Sequence, residues 1–160
     1  MKTFVLACLA LATAMPAGAV KLDDSLSPRQ NVDVSIDWRY SSNLDNLDEE
    51  QLNALYSNVR NFEVRLNTAQ YTGRQARIYL SLPVVIRGLD DPAGMRLSWT
   101  TRGVFSDGTV TPGTRSLLFD GIIKDAVLID ILDFTIEIDG RSFNNPITFE
   151  PEYEIEPVTP

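Results

Sequence analysis

The sequence predicts an all-β fold, an antiparallel β-sandwich of about seven strands (immunoglobulin-like or jelly-roll-like), with one short helix around residues 48–59. Three observations carry this. Apolar and polar residues alternate with period two in one short run after another, the mark of strands with one buried face. Gly, Asn and Pro fall between the runs, roughly every ten to fifteen residues, where turns need them. The chain of 160 residues is one domain's length and can bury a core without staples.

Residues 1–19 come first and read as a secretory signal peptide. Lys2 gives a cationic start, Phe4 to Ala12 an apolar stretch, and Pro16 with Ala17-Gly18-Ala19 a cleavage region. The apolar run falls short of the ~20 residues a membrane span needs. Cleavage is expected after Ala19. Cys8 lies too early to follow a lipoprotein cleavage site. Residues 20–30 are expected to be an N-terminal tail, 31–156 the sandwich domain, and 157–160 a C-terminal tail.

Within the domain, Val32, Val34, Ile36 and Trp38 alternate with polar residues and predict the first strand. Asp48 and Gln51 have capping-box spacing, and Leu52, Leu55, Tyr56 and Val59 follow the three/four spacing of a helix face. Phe62, Val64 and Leu66 give a second strand; Ala76, Ile78, Leu80 and Leu82 a third, interrupted by Pro83. Met95, Leu97 and Trp99 give a fourth. Leu117 to Ile123 is an apolar run around Asp120-Gly121 and is hard to phase. Phe134, Ile136 and Ile138 give a sixth strand, and Phe149, Tyr153 and Ile155 the last. Gly73, Asp91-Pro92-Ala93-Gly94, Asp107-Gly108, Pro112-Gly113, Asp139-Gly140 and Asn145-Pro146 are the expected turns. Trp38 and Trp99 share the inward parity and are expected in the core.

Composition excludes several chemistries. There is no His, and the single Cys lies in the leader, so the exported chain cannot form a Ser-His-Asp or Cys-His site, a His/Cys zinc site or a disulfide. It also lacks an Asn-x-Ser/Thr acceptor, which with the missing disulfides fits a bacterial periplasmic or surface location. Without the leader, 13 cations face 22 acids, a net charge of −9. Residues 64–119 nevertheless carry seven Arg and three Asp, between two acidic flanks. The simpler expectation is that basic strands lie beside acidic strands. The net charge argues against nucleic acid as a partner.

Candidate sites follow from side-chain parity. If the third and fourth strands pair, their outer sides join Arg77, Tyr79 and Ser81 to Arg96, Ser98, Thr100 and Arg102, a face suited to an acidic glycan or acidic protein segment. Glu150, Glu152, Glu154 and Glu156 recur every second residue; the plain reading is an edge strand guarded by like charge and by Pro151 and Pro157. Residues 43–50 are rich in oxygen ligands but lack the sixth-position Gly of a calcium loop, and suit a helix start better. Ser106 is not in a Gly-x-Ser-x-Gly turn. Carboxylates are the remaining acid/base candidates, and no particular pair stands out.

The function expected from these residues is an exported, non-catalytic β-sandwich module of the bacterial envelope with a binding or assembly role. Its expected partner is an envelope protein or acidic glycan, with no cofactor, no metal, no nucleic acid and no integral membrane segment. The alternatives are a structural subunit of a surface fibre or pilus, and a carboxylate-dependent polysaccharide hydrolase.

Overall fold

The structure, a computed structural model, describes residues 18–28 and 54–158, with backbone alone over 143–146. The first predicted strand with Trp38, the acidic run 43–50, the helix start at 48–53 and leader residues 1–17 lie outside the described residues. Two four-stranded sheets form the body. The first runs β1 (Val20–Lys21), β10 (Glu152–Pro157), β3 (Gln75–Ser81), β7 (Arg115–Ile122). The second runs β2 (Ala54–Asn67), β8 (Val127–Asp139), β5 (Met95–Thr101), β6 (Gly108–Val110). A separate ribbon joins β4 (Arg87–Leu89) to β9 (Phe143–Thr148). Every pairing is antiparallel. No helix of the described residues is long and apolar enough to cross a membrane.

Period-two alternation builds the core. Ala76, Ile78, Leu80, Leu118, Tyr153 and Ile155 of the first sheet and Val64, Leu66, Leu97, Trp99, Leu132 and Ile136 of the second belong to one buried cluster. That burial is the main favourable term in folding. The expected sandwich of strands is therefore present, with its inward side chains where the alternation places them.

The expected helix is not there over 54–59, which belong to β2. A bulge follows that segment. Between Val59 and Phe62 β2 carries one residue more than β8, and Asn61 takes a left-handed φ of 58°. Leu55 and Ser57 are buried before the bulge; Val64 and Leu66, of opposite parity, are buried after it. The helical spacing of Leu55, Tyr56 and Val59 arises before the bulge, because Tyr56 puts a large ring on the outer side and Ser57 puts a polar residue on the buried side. A second bulge, between Ile78 and Tyr79 opposite β7, explains why 117–123 resists phasing.

Residues 20–28 are not a tail. β1 pairs with β10, Leu22 is buried, and the Leu22 N–H donates to the Tyr153 carbonyl at 2.7 Å. The Asp23 carbonyl accepts the Asn67 N–H at 2.9 Å, and the Ser27 hydroxyl accepts the Arg65 N–H at 2.9 Å. The segment thus bridges both sheets. At the other end Pro157 still pairs with Ala76, and the Val158 N–H reaches the Gln75 carbonyl at 2.9 Å. Asn145-Pro146 lies within β9 rather than at a turn; the two-stranded ribbon leaves β9 an edge where Pro is tolerated. Gly73 and Gly113 do supply the positive φ that turns require.

Candidate functional site

The third and fourth predicted strands do not pair. β3 lies between β10 and β7, and β5 lies between β8 and β6. The predicted face is therefore split. Arg77, Tyr79 and Ser81 lie on the outer side of the first sheet, and Arg96, Ser98, Thr100 and Arg102 on the outer side of the second. Strand order was the missing information, because parity alone fixes which side of a strand is wet and not which strand is its neighbour.

On the first sheet charge meets charge. The Arg77 Nε donates to Asp120 at 3.2 Å. The Arg115 guanidinium lies over the Tyr79 ring, 4.2 Å from its centre, and pairs with Glu156 at 2.7 Å and Glu154 at 3.3 Å. Lys21 holds Glu152 at 2.7 Å. β10 is thus not an edge strand; β1 covers it on one side, and cations from β1 and β7 answer its glutamates. Each exposed pair contributes at most about 1 kcal/mol.

The outer side of the second sheet is organised in rows by register. Tyr56, Glu137 and Arg96 form one row, in which Arg96 pairs with Glu137. Asn58, Thr135, Ser98 and Thr109 form the next. Here the Thr135 hydroxyl bonds the Asn58 Oδ1 at 3.0 Å, and Ser98 and Thr109 share a hydrogen bond of 3.1 Å. Thr100 lies opposite Asp133 in the third row. Asp133 accepts the Asn61 N–H at 2.7 Å and the Arg102 guanidinium at 2.6 Å. Those two bonds, the backbone one first, hold its carboxyl below the ordinary aspartate value.

A hollow of about 290 Å³ opens in this face. Asn58, Arg60, Ser98, Thr100, Asp133 and Thr135 line it, with Trp99 and Phe134 at its base. Ser98 and Thr100 were legible in the sequence, and Arg102 reaches the hollow's edge through Asp133. Asn58 and Arg60 were hidden by the helical spacing of 52–59. Asp133 and Thr135 stand on the polar parity of the predicted strand at 134–138, a signal that was available.

Other predicted positions have structural roles. Ser106 accepts the Trp99 indole N–H at 2.9 Å on its carbonyl and donates its N–H to Leu118 at 2.8 Å. The Asp91 side chain caps the short turn 92–94 through the Ala93 N–H at 2.9 Å. Among the described residues no group of three or more acidic, His or Cys side chains is placed to hold a metal ion. No family model, curated protein or solved structure matches this chain.

Proposed function

We propose that the chain is an exported, non-catalytic binding module of the bacterial envelope, and that the outer side of the β2–β8–β5–β6 sheet is its binding face. The observation that carries this is the hollow lined by Asn58, Ser98, Thr100 and Thr135. Concave sites with a few convergent polar groups are the usual form of small-ligand sites. The hydroxyls and amide suit a polyol, which favours an envelope glycan over a protein partner. A leader at residues 1–19 and an exported chain without Cys or His support the compartment and the absence of nucleophilic catalysis.

The hydrolase alternative draws less support, since glycosidases set two carboxylates across a cleft and Asp133 is the one carboxylate among the described residues that line this hollow. The fibre alternative would use residues 20–30 as a donated strand, and residues 20–28 are here bound to their own sheets. Incubating the purified domain with an array of envelope polysaccharides tests the proposal. Retention on at least one glycan is expected. No retention on any, from a monodisperse monomer, would overturn it.

A further inference from the structure

Resting on that reading, we infer that the hollow is a subsite for one carboxylate-bearing sugar unit, a uronate, held by Arg60 and by the hydroxyl and amide row across Asn58, Ser98, Thr100 and Thr135. Four observations converge on this. The first is charge. Arg60 and Arg102 flank a single carboxylate, Asp133. Arg102 is engaged by Asp133 at 2.6 Å, and Asp133 is engaged again by the Asn61 N–H. Arg60 is exposed and has no ion-pair partner among the described residues. With Arg102 at its edge counted, two cations face one carboxylate among the described residues at the hollow, in a chain that is acidic overall.

The second is the neutral polar lining. A Ser or Thr hydroxyl offers one donor and two acceptor sites, and an Asn amide offers two donors. The Thr135–Asn58 and Ser98–Thr109 bonds use only part of that capacity. What remains both donates and accepts, as sugar hydroxyls do. The third is size: about 290 Å³ sits at the small end of ligand sites, room for one ring and not for a packed oligomer. The fourth is valence. A guanidinium matches carboxylate and phosphate alike. The Asp133 charge beside Arg60 repels a second negative charge, which favours the singly charged uronate over a dianionic phosphate.

The test is an amide-resonance titration of the exported domain with D-galacturonate and with D-galactose, which differ only at C6, and with N-acetylglycine as a single carboxylate without the sugar. Galacturonate is expected to shift the amides of residues 58–60, 98–100 and 133–135 and to bind at least tenfold tighter than the other two. R60Q should bring galacturonate down to the galactose level, and S98A should weaken both sugars, each without loss of melting temperature. Equal binding of galactose and galacturonate, equal binding of N-acetylglycine, an unaffected R60Q, or shifts elsewhere would each overturn the inference. Retention of R60Q on the glycan array alongside any of these would leave the binding-module reading standing and remove only this subsite.

Discussion

Asp130 faces inward on β8 and is nearly sealed from solvent, 4% exposed. Its carboxylate accepts the Phe105 N–H at 2.8 Å and the Arg102 N–H at 3.3 Å, which anchors the loop between β5 and β6. The loop residue Gly103 has to be small there: a Cβ on it would lie 2.8 Å from that carboxylate. Removing the acceptor leaves buried donors unmatched, so Asp130→Ala should cost about 2–3 kcal/mol in urea unfolding, with Asp130→Asn between it and the parent. Tyr153 is the opposite case. Its hydroxyl is buried with no hydrogen-bond partner among the described residues, and burial pushes its pKa well above the ordinary tyrosine value. Tyr153→Phe keeps the packing and removes the orphan, so it should raise stability by about 1 kcal/mol. Measured loss of stability in Tyr153→Phe would mean that the hydroxyl is satisfied. Neither role was readable from the sequence. Inward parity was legible for Tyr153, but what a buried oxygen meets depends on strands far away in the chain.

At the scale of the element, the β2 bulge is the feature that decides the site. It turns Leu55 and Leu66 to the same face despite their odd spacing, and it brings the Asn61 N–H to Asp133. Asn tolerates the left-handed φ of 58° that a β-branched residue resists. Asn61→Val should therefore cost about 1–2 kcal/mol, whereas Asn61→Gly should stay within about 0.5 kcal/mol of the parent. Equal urea midpoints for Asn61→Val and the parent would show that the bulge is not held in this conformation. Strands with unbroken alternation, such as β3, β5 and the later part of β8, were legible because one physical rule fixed them. The part of β2 before its bulge, the phase of β7 and the N-terminal strand β1 were not, although the later part of β2, with Val64 and Leu66 inward, was. Two carry bulges, and the third has only two residues, Val20–Lys21, whose strand character comes from pairing with β10.

Across the whole molecule, charge follows strand order. The Arg-rich stretch 64–119 supplies β3, which lies beside acidic β10, and β5, which lies beside acidic β8, while Arg115 of β7 reaches the β10 glutamates across β3. The expectation that basic strands sit beside acidic ones is met by Arg96–Glu137, Arg102–Asp133 and Arg115–Glu156. This has a consequence for acid stability. Asp133 is held low by the Asn61 N–H and then Arg102, Asp139 by Arg141, and Asp23 by Ser25. Groups with a folded pKa below the unfolded one stabilise fully above the unfolded value, about pH 4, and lose that contribution as pH falls through the folded value. The melting temperature should be flat from pH 7 to about pH 5 and fall below about pH 4. Asp133→Asn, which keeps an acceptor for Asn61 but no longer titrates, should soften that fall. A melting temperature that rises on acidification would contradict the ion-pair assignment.

The two-sheet arrangement underlies every one of these assignments, and the most direct check on it is the pattern of interstrand proton contacts in a nuclear Overhauser spectrum of the labelled protein. Contacts joining Ser98 to both Thr135 and Thr109, and Tyr79 to Glu154, are the result the strand order requires. Contacts joining Arg77, Tyr79 and Ser81 to Arg96, Ser98 and Thr100 would put β3 beside β5, and would dismantle both the sandwich and the hollow on its second sheet.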